Sequence, residues 1–347
     1  AVDESRMLAD PARYYKGGKP DLQLFDKKLY EVNPDDKVAI ARAAAEEVLG
    51  KDERIISVDS SYSDGEGSSY RLISNGFEGE SKSTWFSVSA SVSIKGEGEA
   101  RPQDYWYDSA LFYDKLTKTG IGAKALERVL RKLGQKKAKS GKYTMVVDPM
   151  NVGNLLSPML SALYGSALQQ KNSFLMDKLD TKVASDLFTL RDEPHAIGAN
   201  GSRYFDNEGV ATEPRTVFDK GVLKTYFIDT YNGKKMDIAP TISTPSRLIL
   251  TPGDKDLNGL VADIKQGILV TGFNGGNSNS STGDFSYGIE GFLIEDGKLT
   301  QPVNEMNVTG NMVTLWNSLV AVGNDPQPNR SWQIPSLVFE GVDFSGL

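Results

Sequence analysis

The segment Phe86-Ser-Val-Ser-Ala-Ser-Val-Ser-Ile94 alternates an apolar side chain with a serine at every step. Successive side chains of a β-strand point to opposite faces of the sheet, so this segment has one apolar face and one polar face. Such alternation is typical of an antiparallel strand that packs on a core with one side and meets solvent with the other. The sequence therefore predicts an antiparallel sheet in this part of the chain.

The residues around this strand predict a mixed α and β arrangement. Residues 1 to about 32 look extended and irregular, and Asn33-Pro34 offers a cap and a first-turn proline for a helix that ends at Gly50. The next predicted elements are strands at 54–62 and 69–74, joined by the turn-rich segment 63–67, and a helix at 121–133. Ser140-Gly141 interrupts the helical pattern, which predicts a domain boundary near residue 140.

Beyond that boundary, short apolar runs predict a sheet-rich domain. A strand at 143–147 leads through Asp148-Pro149 into a second helical segment. Hairpin signals lie at 219–222 and 295–298, and short helices are expected at 229–236, 257–265 and 312–321. The predicted fold class is α+β, with an N-terminal α/β part that contains an antiparallel sheet (1–140) and a larger, mainly antiparallel β C-terminal domain with short helices (141–347). Because the chain opens without Met in loop-like sequence, we expect a missing upstream region.

Only one histidine, His195, and no cysteine occur among the 347 residues. Zinc sites draw mainly on these two residue types, and one His cannot assemble the usual ligand set. A cysteine nucleophile is excluded, and a Ser–His pair could be built only on His195. Chemistry performed by this chain alone would therefore depend on carboxylates, Lys, Tyr, Ser or Thr.

The net charge of −7 argues against a general affinity for nucleic acid or an anionic membrane surface. One segment departs from this balance, since residues 115–142 hold ten Lys or Arg and a single acid, Glu127. This segment is either an anion-binding or partner-docking helix face or, as we prefer, a solvated helix flank followed by a charged linker. No apolar run is long enough to span a membrane and no signal sequence is evident, so the expected location is the cytoplasm.

Three local features invite a catalytic or binding interpretation, and each has a simpler structural one. His195 lies in a turn-prone segment beside Asp192 and Glu193, which could orient its ring, although a lone loop histidine is usually structural. The glycine-rich run 272–283 lacks the Lys-Ser/Thr and the following helix of a phosphate loop, so we expect a long flexible connection between strands. The acidic cluster 205–209 could supply paired carboxylates, but acids are common in turns.

Several segments resemble the TldD/PmbA family, whose members are also described as modulators of DNA gyrase. The most specific is Ser202–Met236, and the others are 126–134, 267–276, 292–303 and 322–325. Together they extend the resemblance from about residue 20 to the end of the chain. In the TldD branch of this family, a His-Glu-x-x-x-His helix follows the strand that corresponds to residues 143–147, and a C-terminal cysteine completes a zinc site.

The corresponding helical segment here departs from that pattern. Residues 149–170 contain no His, Glu or Asp, and the segment 330–335 has no Cys. The helix and the segment Asp192–His195 instead resemble the PmbA branch, called TldE when it is paired with TldD. The resemblance implies a metal-free subunit of a TldD/TldE-type metallopeptidase complex that processes peptides and unfolded proteins.

We accordingly assign no catalytic, cofactor-binding or metal-binding residue, and no cofactor, to this chain. The expected partners are a TldD-like zinc peptidase subunit or further copies of the chain, together with a peptide substrate, and the chain is expected to be inactive alone. Two alternatives stay open: a self-associating peptide-binding or scaffold protein without a peptidase role, and, ranked last, an independent carboxylate enzyme.

Overall fold

The structure, a computed structural model, describes residues 7–347. Its first sheet is antiparallel with strand order β1-β2-β3 and is formed by β1 (Ile55–Ile73), β2 (Phe77–Ile94) and β3 (Gln103–Ala110). Two helices pack on one face of this sheet, α1 (Pro34–Glu46) and α2 (Ile121–Leu130). The predicted strand is confirmed, because the apolar residues of 86–94 are buried while the serines between them remain partly accessible.

Glu47 links the C-terminal end of α1 to the N-terminal end of α2. The side chain of Asn33 caps α1 by accepting a hydrogen bond from the Asp35 N–H, as the sequence indicates. Helix α2 has no cap of its own, and the Glu47 carboxylate instead accepts hydrogen bonds from the N–H groups of Gly120 (2.6 Å) and Gly122 (2.8 Å). An acidic group there compensates both the unpaired N–H groups and the positive end of the helix dipole.

The predicted connection at 63–67 is wrong. Strand β1 runs without interruption through these residues, and the turn between β1 and β2 lies at Asn75-Gly76. Gly65 is needed for packing instead, because a Cβ atom at this position would lie 3.0 Å from the indole of its cross-strand partner Trp85. The sequence alone does not distinguish a strand glycine that makes room for a ring from a turn glycine, which is why this segment was predicted as a turn.

The tip of the β1–β2 hairpin is anchored on the C-terminal half of the chain. The Phe77 side chain is 1% exposed, and its ring centroid lies 5.1 Å from that of Phe205 and 5.3 Å from that of Tyr14. Gly209 lies beneath the same ring, since a Cβ atom there would be 2.6 Å from it. The hairpin therefore connects the first sheet to the main core.

The remaining strands form two further sheets. The six-stranded sheet has the order β11-β10-β9-β4-β14-β12. Strand β11 also pairs with β14, so that the five strands from β11 to β14 form a closed ring. Its strands are antiparallel apart from the parallel β4–β9 pair and are formed by β4 (Gly141–Val147), β9 (Gln266–Ser278), β10 (Asp284–Glu295), β11 (Lys298–Asn311), β12 (Leu319–Val322) and β14 (Leu337–Ser345). The five-stranded sheet has the order β13-β8-β5-β6-β7 and is formed by β5 (Leu190–Asp192), β6 (Arg215–Asp219), β7 (Val222–Leu223), β8 (Leu248–Leu250) and β13 (Trp332–Gln333).

Short helices connect these strands: α3 (Gly153–Ser161), α4 (Gly165–Gln169), α5 (Thr230–Met236), α6 (Leu257–Ala262) and α7 (Met312–Asn317). The three short helices expected after residue 220 are all present, each with an Asp or Asn cap, at Asp229, Asp256 and Asn311. The α+β fold with short helices is thus confirmed. Trp316 of α7 lies at the centre of the main core, in contact with the rings of Phe188 and Phe339.

The glycine-rich run at 272–283 is not a long flexible connection. Strand β9 continues to Ser278, and only residues 279–283 turn towards β10. Gly276 and Gly288 lie where the two backbones approach closely, because a Cβ atom would be 2.1 Å from the Ser286 oxygen and 2.3 Å from the Asn274 oxygen, respectively. The glycines therefore allow irregular strand pairing, which a local sequence pattern does not distinguish from a loop.

Candidate functional site

Helix α3 occupies the position where the family resemblance locates the zinc helix of the other branch. It follows the buried end of β4 through residues 148–152 and ends at Ser161. One face is buried in the main core and consists of Leu155, Leu156, Met159 and Leu160. The other face carries Asn154, Ser157 and Ser161, with Pro158 between them.

The side chains of α3 do not fit a zinc ion. Protein zinc ligands are thiolates, imidazoles and carboxylates, and α3 presents only hydroxyl and amide groups beside its apolar face. Across residues 7–347, no group of three or more His, Cys, Asp or Glu side chains is arranged to hold a metal ion. We therefore derive no chemical step through a metal bound by this chain.

Asp148 lies between β4 and α3 and organises the start of the helix. Its Oδ1 atom accepts hydrogen bonds from the backbone N–H of Asn151 (3.0 Å) and from the Asn151 side-chain amide (2.7 Å). The same amide donates to the carbonyl oxygen of Thr271 on β9 at 2.8 Å. Burial raises the pKa of the Asp148 carboxyl, while the hydrogen bonds from Asn151 oppose this effect.

Asp148 also lines a cavity of about 630 Å³, which we call the α2 cavity. Lys124 and Arg128 of α2 and Arg131 at its C-cap form one side of it, and Lys298, at the start of β11, contributes from the opposite half of the chain. Its volume lies in the range of small-molecule binding sites. The cavity opens beside the ends of the parallel β4–β9 pairing, a position where ligands commonly bind in α/β sheets.

A buried ion network closes one side of this region. Asp104 on β3 binds the Arg128 Nε atom (3.2 Å) and the Lys132 Nζ atom (3.2 Å), and Lys132 also binds Glu290 on β10 at 2.7 Å. The side chains of Arg128 and Lys132 are 14% and 10% exposed. Our preferred interpretation of 115–142 as a solvated flank is therefore wrong for these two residues, although Arg131 is largely accessible. The network therefore links Asp104 on β3 to Glu290 on β10 through Lys132, which follows α2.

His195 is not arranged as a catalytic base. Its Nε2 atom lies 3.1 Å from the Thr212 Oγ1 atom, and its ring packs against Tyr204 at a centroid distance of 5.0 Å. The predicted orienting acids bind elsewhere, because Asp192 accepts hydrogen bonds from the backbone N–H groups of residues 246 and 247, and Glu193 pairs with Arg191. Burial lowers the pKa of His195, and the nearby Lys19 acts in the same direction. His195 is therefore held as a packing residue.

The acidic cluster at 205–209 is structural. Asp206 is buried and accepts hydrogen bonds from the N–H groups of Glu208, Val210 and Ser243. Glu208 accepts from both the N–H and the hydroxyl of Thr230 at the start of α5. The oxygens of both carboxylates are thus engaged in turn and cap contacts. The cluster lends no geometric support to a carboxylate enzyme.

From the sequence, a basic anion-binding helix face within 115–142 was only the less favoured alternative, and no residue of the α2 cavity was singled out. Lys124, Arg128 and Arg131 are spaced i, i+4 and i+7, which predicts that they share one helix face. The sequence shows that spacing, but it does not show the tertiary fold that places Lys298 opposite these bases.

No helix among residues 7–347 has the length and apolar character required to cross a membrane.

Comparison with known proteins identifies the family. Two family models match, the PmbA/TldA metallopeptidase central domain over residues 27–133 and the C-terminal domain of the same peptidases over residues 140–346. The metalloprotease PmbA homolog of Haemophilus influenzae is 29% identical over 338 residues, covering 94% of this chain and 73% of the relative. The metalloprotease PmbA of Escherichia coli O157:H7 is 27% identical over 331 residues, with the same two coverages.

Solved structures agree with this assignment. A Bacteroides thetaiotaomicron protein whose name refers to modulation of DNA gyrase is 73% identical, with a TM-score of 0.99, and the match covers 100% of this chain and 79% of that one. TldE from Thermococcus kodakarensis, at 22% identity and a TM-score of 0.81, shares the fold over 99% of this chain and 80% of its own. The chain therefore belongs to the PmbA/TldD family of metallopeptidase-like proteins.

Proposed function

We propose that this chain is a metal-free, TldE-type subunit of a cytoplasmic metallopeptidase complex that processes peptides and unfolded proteins. A TldD-type partner supplies the zinc ion and the acid/base chemistry, and this chain helps to enclose and position the peptide. The observation that carries the proposal is the absence of zinc-ligand side chains from α3 within a family of metallopeptidases.

The packing of α3 supports a helix that does not bind metal. Leu155 and Leu156 are fully buried, so an imidazole or carboxylate at either position would lose its hydration without gaining a partner. The accessible positions Asn154, Ser157 and Ser161 carry side chains that seldom bind zinc. The helix α3 thus has a packing role in the main core.

The arrangement of sheets supports two units with a boundary near residue 140, so that 1–140 and 141–347 are the proposed domains. The hairpin tip at Phe77 and the ion network at Asp104 connect them. Two separate connections would keep the α2 cavity in a fixed shape. A fixed cavity favours binding, because less conformational entropy is lost when a peptide enters.

Metal analysis tests the first half of the proposal. The purified chain, dialysed against zinc and then against buffer, is expected to retain far less than one zinc ion per chain by plasma mass spectrometry. One tightly retained zinc ion per chain would contradict a metal-free subunit.

Association with a TldD-type protein from the same genome tests the second half. Size-exclusion chromatography with light scattering is expected to show a complex heavier than either protein alone. If the chain forms only complexes with itself and ignores the TldD-type protein, the scaffold alternative replaces the proposal.

A further inference from the structure

The α2 cavity has a basic wall within an acidic protein. Lys124 and Arg128 of α2, with Arg131 at the C-cap of this helix, lie on one side of it, opposite the apolar face that packs on the first sheet. Lys298, the first residue of β11, adds a fourth positive charge. Since the whole chain carries a net charge of −7, the accumulation of four bases around one cavity is a local property of this site.

Arg128 is held in a conformation suited to binding an anion. Its Nε atom donates to Asp104, and its guanidinium lies 5.5 Å from the centroid of the Trp106 ring, which also lines the cavity. Its two Nη atoms make no hydrogen bond to any residue between 7 and 347. This leaves one edge of the guanidinium free, and two parallel N–H donors match the geometry of a carboxylate.

Two other bases are available for the same ligand. Lys298 forms no ion pair within the described part of the chain and is exposed. The guanidinium of Arg131 lies over the Phe292 ring at 4.6 Å, and its nearest acid, Glu127, is 3.8 Å away. The positive charge of this wall is therefore only partly neutralised by the protein itself.

The three acids that line the cavity each accept hydrogen bonds from nearby N–H groups. Asp256 caps α6 by accepting from the Gly259 N–H, and Asp325 accepts from the N–H groups of Leu257 and Ser336. Asp148 accepts from Asn151, as described above, and its burial disfavours the charged form. These contacts use one oxygen of Asp148, one of Asp256 and both of Asp325, whereas the Arg128 Nη atoms and the Lys298 ammonium make no hydrogen bond to any residue between 7 and 347.

We propose that the α2 cavity is a carboxylate-binding site, in which Arg128, Arg131 and Lys298 hold the terminal or side-chain carboxylate of a peptide or the carboxylate of a small organic acid. The peptide source rests on the proposed function. The binding site itself rests only on the cavity and its bases, and it requires neither zinc nor a partner.

Isothermal titration calorimetry on the full chain at low ionic strength tests this proposal. The probes are acetyl-Gly-Ser-Gly-Ser-Gly-Ser with a free carboxyl end, the same peptide with an amide end, and citrate. We expect binding of the free acid but not of the amide, and loss of affinity with added salt because accessible charges are screened. Binding of citrate without the peptide would support the site and identify a small acid as the ligand.

Charge-removing variants locate the binding. R131Q/K298Q is expected to weaken the affinity roughly tenfold or more, since charged hydrogen bonds are lost. R42Q/K51Q removes the same charge from α1 and the loop after it and serves as the matched control, and K298R is expected to bind as the parent does. Circular dichroism confirms that each variant is folded.

The proposal is overturned if neither acid binds, if the amide binds as tightly as the free acid, or if the two double variants weaken binding equally. These outcomes are distinct from failure of the proposed function, which is measured by zinc content and partner association. A chain that binds zinc could still bind carboxylates here, and a metal-free subunit could lack this site.

Discussion

Truncation of Phe77 tests the connection between the β1–β2 hairpin and the main core. The side chain is 1% exposed and packs between Phe205, Tyr14 and the backbone at Gly209. Replacing a fully buried Phe by Ala costs about 3–5 kcal/mol, because apolar burial is lost and a cavity remains. We expect F77A to lower the free energy of unfolding by about this amount in urea titrations followed by circular dichroism.

A second substitution makes the test specific to this contact. Gly209 has a φ of +80°, and a Cβ atom there would lie 2.6 Å from the Phe77 ring. G209A alone therefore carries both backbone strain, about 1–2 kcal/mol, and a clash with the ring. In the F77A background only the backbone strain remains, so the double variant is expected to be more stable than the sum of the single effects by about 1 kcal/mol or more.

Leu72 supplies the control, because it lies on the same hairpin but is 71% exposed. L72A is expected to change the free energy of unfolding by less than about 0.5 kcal/mol. If F77A is as mild as L72A, or if F77A and G209A add without coupling, the hairpin tip does not dock as described.

Three further predictions concern buried or partly buried polar groups. D104A leaves Arg128 and Lys132 without their shared acid and is expected to cost about 3–5 kcal/mol of unfolding free energy in urea. D148N is expected to gain stability relative to the parent as the pH rises above about 4, because burial raises the pKa of Asp148 and the folded parent is increasingly penalised above the unfolded value of 3.8. H195Q is expected to change the peptidase rate of the mixed proteins less than about twofold, since general acid–base catalysis contributes about 10²-fold or more and His195 has no suitable partners.

Each of these predictions has a matched control or a contrary result. D343A removes the acid of an exposed pair with Lys142 and is expected to cost less than about 1 kcal/mol, so equal losses for D104A and D343A would refute the buried network. A stability difference between D148N and the parent that does not change with pH would contradict the raised pKa. A fall of about 10²-fold or more in the H195Q rate, with the complex intact, would return His195 to catalysis.

Local patterns predicted those elements whose signals lie within a few residues. The alternation from Phe86 to Ile94 identified a half-buried strand, because every second side chain points to the same face of a sheet and the apolar ones all fall on the buried face. The turns at Lys220-Gly221 and Asp296-Gly297 were predicted from a glycine between two apolar runs, and in the structure both glycines have a positive φ. The Asn33 cap of α1 was equally local.

Features that depend on distant contacts were missed or misread. Gly65 signals a turn by itself, and only its cross-strand neighbour Trp85 shows that it provides space for a ring. The α2 cavity required Lys298 to meet a helix more than a hundred and fifty residues earlier in the chain. Such contacts are set by tertiary packing, which a single sequence does not encode in any local pattern.

Peptide hydrolysis by mixed proteins tests most directly whether this chain is a metal-free peptidase subunit. A quenched fluorescent peptide is incubated with this chain, with the TldD-type protein of the same genome, and with both together. We expect hydrolysis that requires both proteins and zinc and that a chelator abolishes. Zinc-dependent hydrolysis by this chain alone, or a mixture no more active than the TldD-type protein by itself, would contradict the proposed function.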